Sequence, residues 1–169
     1  MIKKIFFVLS LAMLFFMWGC KDSKIREDKY YKIISNFNSL CLGIDGGKSD
    51  NWAVLVQETY TGSDSQLWKI VQDSDGFYYK LINKRSGKTL DIQGDSRNDG
   101  TQMAQNDDNG NIYQRWILLK DDNDCYKILT KSSGKAIDVP YSSKNNGEKM
   151  ILYIPNEGQT QKWNILLAN

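Results

Sequence analysis

The chain contains no histidine among its 169 residues. That absence excludes Ser-His-Asp and Cys-His catalysis and the commonest zinc sites. No glycine-rich loop for cradling phosphate and no Ser/Lys nucleophile motif occurs either. Carboxylates are plentiful, but Asp95, Asp99, Asp107 and Asp108 fall in Asn/Gly-rich stretches that read as solvated turns. "DDNDC" at 121–125 and "NDDNGN" at 106–111 lack the ligand spacing of an EF-hand. The sequence therefore reads as a non-enzyme that needs no metal or other cofactor. Cysteine is scarce as well: beyond Cys20 there are Cys41 and Cys125, at positions that do not correspond, and two free, buried thiols are expected.

Long apolar runs are limited to one. Lys3 and Lys4 precede Ile5–Trp18, fourteen apolar-rich residues that end at Gly19-Cys20. A membrane-spanning helix needs roughly 20, so residues 1–19 read as a secretory leader. The ending "MWGC" resembles a bacterial lipobox, which implies a lipid on Cys20 as the new N-terminus. Residues 20–29 then form the lipidated cysteine and a charged tether, with seven charges in the nine positions after Cys20. The "KDS" after Cys20 is similar to signals that send some bacterial lipoproteins outward. The expected address is the cell envelope, lipid-anchored in the outer membrane and exposed on its surface.

Excess charge is also missing. The whole chain has 22 basic and 20 acidic residues, and loss of the leader removes Lys3 and Lys4, leaving 20 of each. A net charge of zero argues against nucleic acid as a partner and makes neutral ligands the default.

No stretch sustains a 3.6-residue apolar period. What the chain has is a threefold repeat, over about 30–76, 77–123 and 124–169. Tyr31-Lys32-Ile33 matches Tyr79-Lys80-Leu81 and Tyr126-Lys127-Ile128. Ten residues after each lysine stands an apolar residue, Leu42, Leu90 or Ile137, and 26 residues further on a tryptophan, Trp68, Trp116 or Trp163. Period-two alternation in "YKIIS", "YYKLIN" and "YKILT" predicts strands, and Asn/Asp/Gly-rich stretches predict the turns between them. Three copies of four strands in residues 30–169 predict a closed all-β unit, monomeric.

Gln66-x-Trp68, Gln114-x-Trp116 and Gln161-x-Trp163, with "LDI" and "IDV" earlier in copies two and three, resemble the ricin-B-type β-trefoil lectins. These are also grouped with family-13 carbohydrate-binding modules. The resemblance implies a β-trefoil in which the six motif residues are structural. Each tryptophan would face inward, where burial is worth about 1.5–3 kcal/mol or more. Each glutamine would satisfy backbone groups of the adjacent turn.

The same resemblance implies one shallow sugar pocket per copy: an aspartate for two hydroxyls, an aromatic for the apolar sugar face, and polar groups near the motif. The third copy offers Asp138, Tyr153, Asn156 and Gln161, with Thr160 where many relatives have asparagine. The second has Asp91 and Gln114, but Asn106 replaces the aromatic, leaving Tyr113 as a substitute surface. The first has Gly43 and Glu58 at the aspartate and aromatic positions, which reads as a structural repeat, although Asp45, Trp52 and Tyr60 lie near in sequence. The implied function is noncovalent glycan or polysaccharide binding. The alternative is a trefoil that binds protein, as an inhibitor or adhesion partner.

Overall fold

The computed structural model describes residues 25–121 and 123–168, so the leader at 1–19 and Cys20 lie outside the described residues. The first repeat supplies β1 (Tyr30–Ser35), β2 (Cys41–Ile44), β3 (Leu55–Glu58) and β4 (Trp68–Gln72). The second supplies β5 (Tyr79–Asn83), β6 (Thr89–Ile92), β7 (Met103–Asn106) and β8 (Trp116–Lys120). The third supplies β9 (Tyr126–Thr130), β10 (Ala136–Asp138), β11 (Glu148–Lys149), β12 (Ile151–Tyr153) and β13 (Trp163–Leu167). Among the described residues there are thirteen strands, one more than three fours, because Met150 divides the third strand of the last repeat. Its N–H donates to Leu55 O and its carbonyl accepts from Met103 N, so its backbone serves the other two repeats.

Six strands close a barrel through antiparallel pairs, in the cyclic order β1, β4, β5, β8, β9, β13 and back to β1. The hairpins β2–β3, β6–β7 and β10–β12 form a cap on it. Three equivalent backbone bonds link the hairpins in a ring: Trp52 N to Gln105 O, Gly100 N to Leu152 O and Gly147 N to Gln57 O, at 2.8–2.9 Å. This is the β-trefoil, with no α-helix among the described residues.

The alternation in sequence becomes layers in space, since period-two side chains face one side of a strand. Ile33, Leu81 and Ile128 fill one layer of the core. Ile44, Ile92 and Val139 fill another, and Leu55, Met103 and Met150 a third, all at most 1 % exposed. The three tryptophans are equally buried, and each begins a barrel strand. Their indole N–H groups donate to Leu42 O, Leu90 O and Ile137 O at 3.1, 3.2 and 3.3 Å. Those acceptors are the apolar residues 26 positions earlier, so each indole ties barrel to hairpin.

Two features differ from the pattern in sequence. The fold begins before Tyr30: Ile25 packs against the core, Arg26 N donates to Tyr31 OH, and Gln72 N donates to Glu27 Oε1. The high charge density of the tether hid one apolar residue with a place to go. Second, Gln57 and Gln105, each 15 positions after Leu42 or Leu90 and matched by Leu152 in the third repeat, are fully buried although polar. Gln57 Nε2 donates to Ser143 O and Asn145 O, and Gln105 Nε2 to Lys48 O and Asp50 O, so each clamps a loop of another repeat.

Candidate functional site

The motif glutamines answer a local need of the backbone. Gln161 Oε1 accepts from Asn156 N, and its Nε2 donates to Ile154 O. Gln114 does the same with Asn109 N and Asp107 O, and Gln66 with Thr61 N and Thr59 O. In the second and third repeats the remaining amide hydrogen goes to an aspartate: Gln114 to Asp91 Oδ2 and Gln161 to Asp138 Oδ2, both at 2.8 Å. Gln161 is fully buried, so it stands behind the aspartate and positions it.

The two aspartates then diverge. Asp91 is 1 % exposed and satisfied at both oxygens: Oδ1 accepts from Ile92 N at 2.7 Å, and Oδ2 also accepts from Asn106 Nδ2 at 3.3 Å. The structure thus brings Asp91, Asn106 and Gln114 together, but they are spent on one another. Tyr113 is partly buried against the core, with the Arg97 guanidinium 5.8 Å from its ring centroid.

Asp138 Oδ1, by contrast, is buried without a hydrogen-bond partner. The corresponding oxygen of Asp91 is met by Ile92 N, but Val139 N donates to Thr160 O instead. The aspartate borders a cavity of about 380 Å³ together with Tyr153, Tyr141, Thr160 and the second repeat's Asp99 and Gly100. Lys135 anchors the Asp99 side through an ion pair of 2.5 Å. Tyr153 is 43 % exposed, available as a flat surface. Asn156 does not line this cavity; its Oδ1 accepts from Gly158 N at 2.7 Å and closes a turn.

Tyr141 is the residue that spacing alone missed. It is fully exposed and holds a left-handed backbone, φ 54°. The corresponding positions in the other repeats are Gly46 and Gly94, at φ 59° and 66°. A bulky side chain in that region is strained, and such strain recurs at binding sites. The signal was present in the alignment as one tyrosine in a column of glycines.

In the first repeat, Asp45 pairs with Lys48 at 3.1 Å, and Tyr60 lies under Lys32 Nζ. Neither these nor Trp52 lines that repeat's cavity, which Glu58 borders instead. Burial, with the charge of Glu58 across the strand pair, pushes the Cys41 thiol up to about 12. Cys41 and Cys125 are both unpaired and buried.

Three pseudo-equivalent repeats, a closed six-stranded barrel and a three-hairpin cap carry this geometry. A family model described as "Ricin-type beta-trefoil lectin domain-like" matches residues 17–106 and 112–169. The chain belongs to that family. Solved structures agree with the ricin-type assignment. A designed threefold-symmetric protein, ThreeFoil, is 34 % identical with a TM-score of 0.79, covering 81 % of this chain and 97 % of its own. An exo-β-1,3-galactanase from Clostridium thermocellum is 33 % identical with a TM-score of 0.81. That match covers 85 % of this chain and 31 % of the galactanase, so this chain corresponds to under a third of that enzyme. A ricin B-like lectin from Macrolepiota procera, solved with lactose, shares the fold at 20 % identity and a TM-score of 0.71, covering 84 % of this chain and 97 % of that lectin. Among proteins with curated descriptions, none matches this ricin-type chain by sequence.

Proposed function

We propose that the protein binds carbohydrate noncovalently through the cavity of its third repeat. One observation carries the reading: Asp138, which has a buried, unpartnered carboxylate oxygen, lines one cavity with two accessible tyrosines, Tyr153 and Tyr141. A sugar hydroxyl is the donor that oxygen lacks. The pyranose C–H face prefers a flat apolar surface, and Tyr153 supplies one, with Tyr141 lining the same cavity. Family membership and a lectin of the same fold solved with lactose support the reading. In it the sugar is held and not cleaved, and the second repeat is structural because Asp91 is already satisfied.

A single open pocket of this kind binds weakly, on the order of millimolar or about −4 kcal/mol. Display of many copies on one membrane through a lipid on Cys20 would compensate by avidity. Metabolic labelling with an alkynyl fatty acid tests the anchor: wild type takes the label and Cys20→Ala does not.

The sugar reading is tested by glycan-array binding of the full chain in a non-glycosidic detergent. Asp138→Asn and Tyr153→Ala should each weaken any hit at least tenfold, and Asn106→Ala should leave it unchanged. A hit that survives both third-repeat variants overturns the assignment. No glycan hit, with specific capture of one protein instead, favours the protein-binding alternative.

A further inference from the structure

The first repeat's cavity, about 600 Å³, has a chemistry that neither other repeat shares. Gly43 stands where the aspartate stands elsewhere, and a Cβ added there would fall on Glu58 Oε1 and lie 3.2 Å from Gln66 Cγ. Cys41 pairs with Glu58 and Gly43 with Val56, so Glu58 is the diagonal cross-strand neighbour of position 43, within reach of a long side chain. The carboxylate has moved from the second strand to the third. Gly43 is what admits it. Its Oε1 is buried with no hydrogen-bond partner, the same unmet condition as Asp138 Oδ1.

Arg85 reaches the same cavity from the turn after β5. Its Cζ and Nε lie 3.8 Å from the Cβ position of Gly47, and among the described residues only its backbone N–H is hydrogen-bonded, to Asn83 Oδ1. Among the described residues its guanidinium has no ion-pair partner. Glu58, whose Oε1 is an unpartnered acceptor, and Arg85 with its unpaired guanidinium therefore line one space, with Thr61 and Ser65 on its wall. No aromatic ring lines it, so stacking is replaced by charge.

We propose that this pocket binds an acidic saccharide residue of the uronic-acid class, an inference that rests on the carbohydrate-binding reading above. Sugar hydroxyls donate to Glu58, and the sugar carboxylate takes the forked donors of Arg85. The pair also rejects the simpler ligands. A small carboxylate without hydroxyls meets repulsion from Glu58 and supplies it no donor, and a cationic amino sugar meets repulsion from Arg85. The third repeat, with two tyrosines, takes the neutral residue.

Chemical-shift mapping of the full chain in a non-glycosidic detergent tests this, with methyl galacturonide and methyl glucuronide against their neutral galactoside and glucoside. The uronides should shift the amides of Gly46, Gly47 and Thr61 and the neutral glycosides should not. Arg85→Gln should raise the Kd at these amides at least tenfold, and Arg85→Lys several-fold, because the fork is lost while the charge remains. Glu58→Gln should raise it several-fold. Equal shifts from acetate alone, from the neutral glycosides, or in Arg85→Gln overturn the proposal. Failure of the third-repeat reading has a separate signature: no shift near Tyr141 and Tyr153 with any sugar, whatever the first repeat does.

Discussion

Gln161 Nε2 lies 2.8 Å from Asp138 Oδ2, and this one bond couples the fold to the open pocket. The same amide also holds Ile154 O, and its oxygen holds Asn156 N. Gln161→Leu should therefore cost both stability and binding. Leaving buried polar groups unpaired costs about 1–3 kcal/mol each, so a total of roughly 2–5 kcal/mol is expected from urea denaturation. Sugar affinity measured on the folded fraction should fall as well, since Asp138 loses its support.

Tyr141 should show the opposite trade. Its left-handed backbone costs about 1–2 kcal/mol for a non-glycine residue, and the other repeats have glycine there. Tyr141→Gly should raise stability by about 0.5–1 kcal/mol, after the entropy glycine adds to the unfolded chain. It should at the same time weaken glycan binding several-fold. Thermal melts and binding curves on the same sample check both halves. Lower stability in the variant would show that the left-handed backbone costs tyrosine less than the unfolded-state entropy that glycine adds.

Acid should destabilise the fold in a defined window. The Ser74 amide, then the Arg115 guanidinium, hold the Asp73 carboxyl below its ordinary 3.8. Lys88 and then Asn51 lower Asp107, and Lys127 lowers Glu157 below 4.5. Depressed carboxyls give stability that is complete above their unfolded values and lost as pH falls through the folded ones. Urea midpoints should thus be flat from pH 7 to about 5 and decline below about 4. Arg115→Leu should shallow that decline. An unchanged slope would deny the Asp73 pair its part.

Cys41 should be silent in the native protein. Burial comes first and the charge of Glu58 second in pushing its thiol from 9.0 up to about 12. A raised thiol value adds stability below pH 9 that is lost as pH rises toward 12. At pH 8, a thiol reagent should label Cys41 only as fast as the protein unfolds, because the thiolate is the reactive form. Rapid labelling under native conditions would contradict the burial.

Much of this architecture was legible in one dimension. The columns of Leu42, Leu90 and Ile137, and of the three tryptophans, recur at fixed spacing because each indole must reach the carbonyl 26 residues earlier. Gln57 and Gln105 recur too, 15 residues after Leu42 and Leu90, but their partners lie in other repeats at separations of 55–88 residues, which spacing within a repeat does not reveal.

The sequence by itself determined the number of repeats, the strands and the inward set, since burial and hydrogen bonding within a repeat impose periodic demands on residue type. It also singled out Asp138 and Tyr153, which border one cavity. Which carboxylate stays open was decided in three dimensions. Asp91 and Asp138 sit in nearly identical segments, yet Ile92 N donates to Asp91 Oδ1, whereas Val139 N turns to Thr160 O and leaves Asp138 Oδ1 unmet. Glu58 enters the space at Gly43 from the adjacent strand, and Arg85 arrives from the next repeat. The physical reason is that hydrogen-bond satisfaction depends on cross-strand register and side-chain reach between segments, which spacing along the chain does not encode.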